Sequence, residues 1–141
     1  MSYKFVDNVA YADVAFEASG RNLEELFKSA AEATTKTMIE NPQKIDEKEE
    51  RTIEIETDDV ETLLYKFLDE IIFYKDADVL IFRSFKIKIN SEGTHLSATF
   101  KGEEININKH NMVVDVKAVS YHMFKVEKVK NTWKAFVILD V

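Results

Sequence analysis

The sequence predicts an α+β domain with mostly antiparallel sheets, two main helices in the N-terminal half and a C-terminal strand meander. Two segments before residue 79 repeat apolar residues at three- and four-residue steps, as amphipathic helices do. After that point, strand-like segments are divided by short turns, which indicates antiparallel strands. The 141 residues are 45% hydrophobic and contain no linker rich in Pro, Gly or Ser. We therefore expect one domain over residues 1–141, with its helices on one side of the sheet.

The first predicted elements are two short strands and a helix. Strands are expected near Lys4–Val6 and Ala12–Ala18. Asn22, with Glu25 three positions later, has the spacing of a capping box, so a helix should begin there and run to about Ile39. The predicted buried face of this helix consists of Leu23, Leu26, Phe27, Ala30, Ala31, Ala33 and Met38.

A polar loop leads to a third strand and the second helix. Pro42 prevents the first helix from continuing. Arg51–Thr57 alternates polar with β-branched residues, as a strand with one solvated face does. Asp58 and Glu61 repeat the capping spacing and predict a helix that ends at Asp76–Asp78. Its apolar stripe consists of Leu64, Phe67, Leu68, Ile71 and Ile72, with Leu63 at the edge.

The second half is predicted to contain only strands and turns. The predicted strands are Val79–Ile89, His95–Gly102, Val113–His122, Phe124–Val129 and Trp133–Val141. The last of these is apolar on both faces beyond Phe136, which is typical of an inner strand.

Charge and composition exclude several classes of protein. The net charge of -7 gives a surface that repels phosphate backbones, which argues against a dedicated nucleic-acid binder. The absence of cysteine excludes disulfides, iron–sulfur clusters and thiol nucleophiles, and it fits a cytoplasmic protein. No apolar stretch approaches the roughly 20 residues that span a bilayer, so we expect no contact with a membrane.

Most cofactor-dependent enzymes are disfavoured by the motifs that the sequence lacks. It has no Gly-rich phosphate loop, dinucleotide fingerprint, nucleophile elbow or zinc-binding helix motif. The histidines His95, His110 and His122 fall in separate segments, so no spacing predicts a histidine metal cluster.

Two aspartates occupy apolar strand contexts. Asp140 closes the inner strand beside the carboxylate of Val141, and Asp13 lies in a similarly apolar segment. Such carboxylates must be paired, hydrogen-bonded, bound to a cation or placed at the solvated end of a strand. If the fold brings the two ends of the chain together, Asp13, Asp140 and Val141 offer the hard oxygen ligands that Ca²⁺ or Mg²⁺ prefers. A solvent-facing aspartate at a strand edge is the simpler alternative.

The segment Lys117–His122 combines an amine, a hydroxyl, a phenol and an imidazole. In a strand, Lys117 and Tyr121 share one face and His122 lies on the other. His122 has the chemistry to bind a metal, move a proton or hydrogen-bond a partner, and a purely structural role stays open. Ser120 beside His122 does not indicate a nucleophile pair, because a third orienting group is not evident.

At these residues the chain resembles the archease family, small proteins that assist the GTP-dependent RNA-splicing ligase RtcB. The resemblance rests on Ala12-Asp13-Val14 followed by Gly20, on Lys117–His122, and on the ending Val137–Val141. It spans essentially the whole chain in order.

The resemblance implies an accessory protein that is not itself an enzyme and that promotes guanylylation and repeated turnover of the ligase in tRNA splicing and RNA repair. It also implies a divalent cation held by Asp13, Asp140 and Val141, with Ca²⁺ favoured over Mg²⁺, Mn²⁺ or Zn²⁺. Lys117, Tyr121 and His122 would contact the partner or support the site. RNA would be contacted at most indirectly.

One block departs from the family pattern. Many members carry Asp-His-Thr-Ala-Asp where this chain has Val9-Ala10-Tyr11-Ala12-Asp13, which removes the first acid and the histidine. Two other functions remain open on the same residues. One is a chaperone-like binding module for RNA-processing proteins, and the other is a metal-dependent phosphoesterase with His122 as general acid or base.

Overall fold

The computed structural model describes residues 2–7 and 13–141. Its strands and helices confirm the α+β class. In chain order they are β1 Ser2–Val6, β2 Val14–Gly20, α1 Leu23–Met38, β3 Glu49–Glu56, α2 Val60–Asp78, β4 Leu80–Ile89, β5 His95–Glu104, β6 Ala118–Val119, β7 Lys125–Val129 and β8 Thr132–Asp140. A short 3₁₀ turn over Pro42–Lys44 separates α1 from β3. Ala12, where the second strand was expected to begin, lies outside the described residues.

The strands form two antiparallel sheets. In the first, the order is β1-β2-β8-β6, with β7 also paired to β8. The second has the order β3-β5-β4. The strands of the predicted C-terminal meander are therefore divided between the sheets. Because β8 has β2 on one side and β6 and β7 on the other, it is the inner strand that its apolar sequence predicted.

Helix α1 begins where the capping pattern predicted. The side chain of Asn22 accepts a hydrogen bond from the backbone N–H of Glu25 at 2.9 Å. The carboxylate of Glu25 accepts from the backbone N–H of Arg21, also at 2.9 Å, instead of from the N–H of Asn22. The predicted apolar face is buried along its whole length.

Helix α2 begins one residue later than the sequence suggested. Asp59, and not Asp58, accepts a hydrogen bond from the backbone N–H of Thr62 at 2.7 Å and caps the helix. Only Asp58 has a Glu three positions later, so the spacing favoured Asp58, whereas the observed cap is Asp59. Every residue of the predicted stripe is buried, and Leu63 is buried as fully as Leu64. Val79, in the left-handed conformation, ends the helix.

The two helices contact both sheets. Helix α1 packs on β2 and β4, and α2 packs on β4 and β6. The ring of Phe67 on α2 contacts the rings of Phe27 on α1 and Phe100 on β5, with centroid distances of 5.4 and 5.6 Å, and so joins the layers. The expectation of helices on one side of a single sheet is therefore replaced by two sheets that share a helical layer and its core.

The predicted strand Val113–His122 is wrong for most of its length, because only Ala118 and Val119 pair with β8. In the register, Ala118 lies opposite Asp140, where β8 ends, so the residues before Lys117 have no strand residue to pair with. At the other end, the chain turns away over Tyr121–Phe124, with Met123 in the left-handed region at φ 58°. Within residues 2–7 and 13–141, helices of the length and hydropathy needed to cross a bilayer are absent.

Candidate functional site

The register of β2 and β8 brings Asp13 and Asp140 to the same end of the first sheet. Val14 lies opposite Leu139 in the antiparallel ladder. One step further, Asp13 and Asp140 are neighbours across the two strands, and residues at such positions extend to the same face. We call Asp13, Asp140 and Val141 the acidic tip. Asp13 is exposed, whereas Asp140 and Val141 are half-buried.

Strand β6 flanks the acidic tip on its other side. The backbone N–H of Lys117 donates to the carbonyl of Asp140 at 2.8 Å, and that of Ser120 donates to the carbonyl of Ile138 at 2.9 Å. These two bonds fix the exposed Lys117 beside the end of β8 and next to Val141. Lys117 therefore adds a positively charged residue beside the end of β8.

A row of polar residues on α2 begins with two that contact β7 and the loop after β6. Glu61, Tyr65 and Asp69 are spaced four residues apart and share one helix face. The carboxylate of Glu61 accepts a hydrogen bond from the backbone N–H of Val126 in β7 at 2.9 Å. The ring of Tyr65 stacks on that of Tyr121, with centroids 4.1 Å apart and planes 9° from parallel.

The hydroxyl of Tyr65 lies in an acidic environment. Burial is the largest cause that raises its pKa. The neighbouring Tyr121 hydroxyl and the carboxylates of Asp69 and Asp140 raise it further, to about 12. Tyr65 is therefore a neutral hydrogen-bonding group at physiological pH. Its ring also meets Phe124 edge to face at 5.8 Å, so the aromatic contacts anchor the loop after β6.

The loop after β6 presents Tyr121 and His122 to solvent. Tyr121 remains 76% exposed in spite of its stacking, and His122 and Met123 are exposed as well. The backbone N–H of His122 donates to the hydroxyl of Ser120 at 3.1 Å. That hydroxyl thus acts as an acceptor that shapes the turn, in agreement with the view that Ser120 and His122 are not a nucleophile pair.

The three histidines stay apart, as their spacing predicted. His95 lies on β5, and its Nε2 is 3.7 Å from the carboxylate of Glu54. His110 is 1% exposed and bonded to Glu103 at 3.0 Å, which is a structural position. Only His122 lies in the loop that follows β6, the strand that flanks the tip.

The roles expected for Asp13, Asp140, Val141, Lys117, Tyr121 and His122 remain predictions. Sequence reasoning did not single out Tyr65, which stacks on Tyr121, or Asp69, whose carboxylate helps to raise the pKa of Tyr65. The four-residue spacing from Glu61 was a signal for one helix face, although it could not say that this face meets the loop after β6. The block Val9-Ala10-Tyr11, where the sequence departs from the family pattern, lies outside the described residues.

The oxygen donors of the tip are of the type that hard divalent cations prefer. In the part of the chain that the structure describes, three or more His, Asp or Glu side chains do not come together in a metal-binding arrangement. The side-chain donors of the tip are two, Asp13 and Asp140, and the main-chain oxygen of Val141 follows Asp140 directly in the chain. This donor set fits a Ca²⁺ or Mg²⁺ ion that keeps part of its water shell.

Comparison with known proteins gives a consistent result. The model of the Archease protein family (MTH1598/TM1083) matches residues 3–141. Protein archease of Pyrococcus abyssi is 37% identical over 133 residues, which are 92% of this chain and 93% of that protein.

Two solved structures share the fold. The solution structure of protein 1598 of Methanobacterium thermoautotrophicum has a TM-score of 0.80 and 37% identity, with 99% of both chains covered. An archease from Thermotoga maritima, described as a possible chaperone, has a TM-score of 0.64 at 22% identity, with 94% of this chain and 93% of the other covered. The second likeness is one of fold alone.

Proposed function

The chain belongs to the archease family, and on that premise we propose that it is an accessory protein of a GTP-dependent RNA ligase of the RtcB type. It promotes guanylylation of the ligase and so allows repeated turnover in tRNA splicing and RNA repair. The bond-making chemistry belongs to the ligase. The observation that carries the proposal is the acidic tip, where the register of β2 and β8 makes Asp13 and Asp140 neighbours.

Asp13, Asp140 and the carboxylate of Val141 would hold a divalent cation, with Ca²⁺ favoured and Mg²⁺, Mn²⁺ or Zn²⁺ as alternatives. Carboxylates gathered at one strand end repel one another, so a bound cation relieves that repulsion. When bound, the cation supplies a positive charge that can polarise a phosphate oxygen or orient a carboxylate.

The residues around the tip supply the contact with the ligase. Tyr121 has the large exposed ring that is typical of interface anchors, and its stack on Tyr65 limits the entropy lost on binding. Lys117 and His122 offer hydrogen-bond donors on either side. The net charge of -7 supports contact with a protein and not with an RNA backbone.

The test is guanylylation of a cognate ligase with GTP and Ca²⁺ or Mg²⁺, with this protein at a substoichiometric level. We expect faster guanylylation and several turnovers with the wild type, and no acceleration with Asp13→Ala or Asp140→Ala. Asp58→Ala is the matched control, because it removes an exposed aspartate away from the tip. Wild-type acceleration by Asp140→Ala would contradict the metal-site mechanism.

A second candidate function is a chaperone-like binding module, because the archease of Thermotoga maritima is described as a possible chaperone. In that case, adding the protein would raise the melting temperature of the ligase without raising its guanylylation rate. The two functions separate in one experiment if rate and thermal stability are measured on the same mixtures.

A further inference from the structure

The segment Val113–Asp115 is the part of the chain where the sequence and the structure disagree most. It belongs to the predicted strand Val113–His122, but the structure leaves it between β5 and β6 without a pairing strand. The backbone N–H of Val113 donates to the carbonyl of Met38 at 2.8 Å, whereas those of Val114 and Asp115 have no hydrogen-bond partner in the described part of the chain. Unpaired backbone in a segment of strand-forming residues is a template on which an extended peptide can add as a strand.

Apolar side chains line a groove along this segment. A cavity of about 350 Å³ is bounded on its apolar side by Ile105, Met112, Val113 and Val114. Val113 is 54% and Val114 37% exposed, and both line this cavity. They therefore offer apolar surface to a ligand in the groove.

The charged side of the groove is acidic. Lys75 is 7% exposed, and its ammonium group is bound by the carboxylates of Asp76 at 2.7 Å and of Asp115. Both carboxylates are themselves largely exposed at the rim. Two negative charges against one positive charge leave an excess of negative charge, which attracts a Lys or Arg side chain on an incoming segment.

We propose that this groove, formed by Ile105 and Met112–Asp115 over Lys75, binds an extended segment of a protein partner in which apolar residues alternate with Lys or Arg. The backbone of the segment accepts a hydrogen bond from the N–H of Val114. Its apolar side chains cover Val113 and Val114, and its cationic side chains meet Asp76 and Asp115. This binding mode needs neither the acidic tip nor a cation, so it goes beyond the function proposed above.

The proposal is tested by fluorescence anisotropy with the isolated protein and labelled peptides. The probe is a seven-residue peptide that alternates Lys with Val, and the reference peptide replaces each Val with Ser at the same charge. We expect the Val peptide to bind about tenfold more tightly than the Ser peptide, a difference of about 1.4 kcal/mol. Equal binding of the two peptides would mean charge attraction alone and would overturn the proposal.

Three variants locate the binding. The double variant Val113→Ser with Val114→Ser should lose about tenfold in affinity for the Val peptide, whereas Val129→Ser, an exposed valine on β7, should bind like the wild type. Val114→Pro removes a backbone donor that the fold does not use, and it should weaken binding as well. Unchanged affinity in the double variant would overturn the proposal.

Self-association is measured on the same samples by sedimentation. If the wild type self-associates as its concentration rises and the double variant does not, the groove binds a second copy of this chain. The proposed occupant would then be wrong. A monomeric wild type that binds the Val peptide supports the proposal. Because this experiment contains no ligase and no metal, its outcome is independent of the guanylylation test.

Discussion

The Nε2 atom of His110 lies 3.0 Å from a carboxylate oxygen of Glu103, and both side chains are buried. The same oxygen accepts from the ammonium group of Lys109 and from the backbone N–H of Asp46, each at 2.7 Å. The other ring nitrogen of His110 accepts from the backbone N–H of Asn106 at 3.0 Å, so Nε2 carries the proton. One carboxylate thus ties the loop after β5 to the segment before β3.

Substitution of Glu103 should destabilise the fold. Glu103→Gln replaces charge-assisted hydrogen bonds with neutral ones and leaves Lys109 without its buried partner, which should lower the free energy of unfolding by about 2 kcal/mol. Urea unfolding followed by circular dichroism measures this. Glu104→Gln is the matched control, because Glu104 is exposed on the same strand and should change the value by less than about 0.5 kcal/mol.

The same carboxylate should make stability depend on pH. Burial alone would raise the pKa of Glu103, but the hydrogen bonds from Asp46, Lys109 and His110 outweigh it and lower the pKa from 4.5 to about 2. A lowered folded-state pKa stabilises the fold above the unfolded-state value, and this contribution is lost as the pH falls from 4.5 towards 2. The unfolding curves of wild type and Glu103→Gln should therefore converge across that range. If the difference in the free energy of unfolding between the two proteins stayed constant down to pH 2, the lowered pKa of Glu103 would be contradicted.

The N-cap of α2 distinguishes two neighbouring aspartates. Asp59→Ala removes the acceptor of the Thr62 N–H and should cost about 1 kcal/mol of stability. Asp58→Ala should be close to neutral, because Asp58 does not cap the helix. Thermal unfolding of the two variants side by side measures the difference. Equal losses would show that the two aspartates share the capping role in solution.

The stack of Tyr65 on Tyr121 should hold the loop after β6 in place. Tyr65→Ala removes a half-buried ring and two aromatic contacts, and it should lower the free energy of unfolding by about 2 kcal/mol. It should also speed amide hydrogen exchange over residues 121–124. Tyr65→Phe keeps the ring and should preserve both values. If the loop exchanged equally fast in all three proteins, the stack would not be what orders it.

Cation binding at the acidic tip should appear as added stability. A cation at about one hundred times its dissociation constant raises the free energy of unfolding by about 2.7 kcal/mol. Calcium or magnesium should therefore raise the melting temperature of the wild type, and addition of a chelator should reverse the rise. Asp140→Asn should abolish the effect and Asp58→Asn should retain it. A rise of equal size in Asp140→Asn would place the cation elsewhere.

Local sequence patterns were sufficient for the helices and for most strands. The apolar steps of α1 and α2, the cap at Asn22 and the alternation in β3 depend on residues a few positions apart. Such patterns can be recognised in the sequence because each element buries one face, which repeats apolar residues at a fixed spacing. The cap of α2 was predicted wrongly, because the spacing to Glu61 favoured Asp58, whereas Asp59 accepts from the Thr62 N–H.

The sequence by itself determined the elements, the inner character of β8 and the chemical types of the residues at its end. Only the tertiary structure decided that the strands divide into two sheets, that residues 113–117 lie outside the strands and that Tyr65 stacks on Tyr121. These facts depend on strand register and on packing between residues far apart in the chain. A periodicity records which face of an element is buried, but it does not record which other element covers that face.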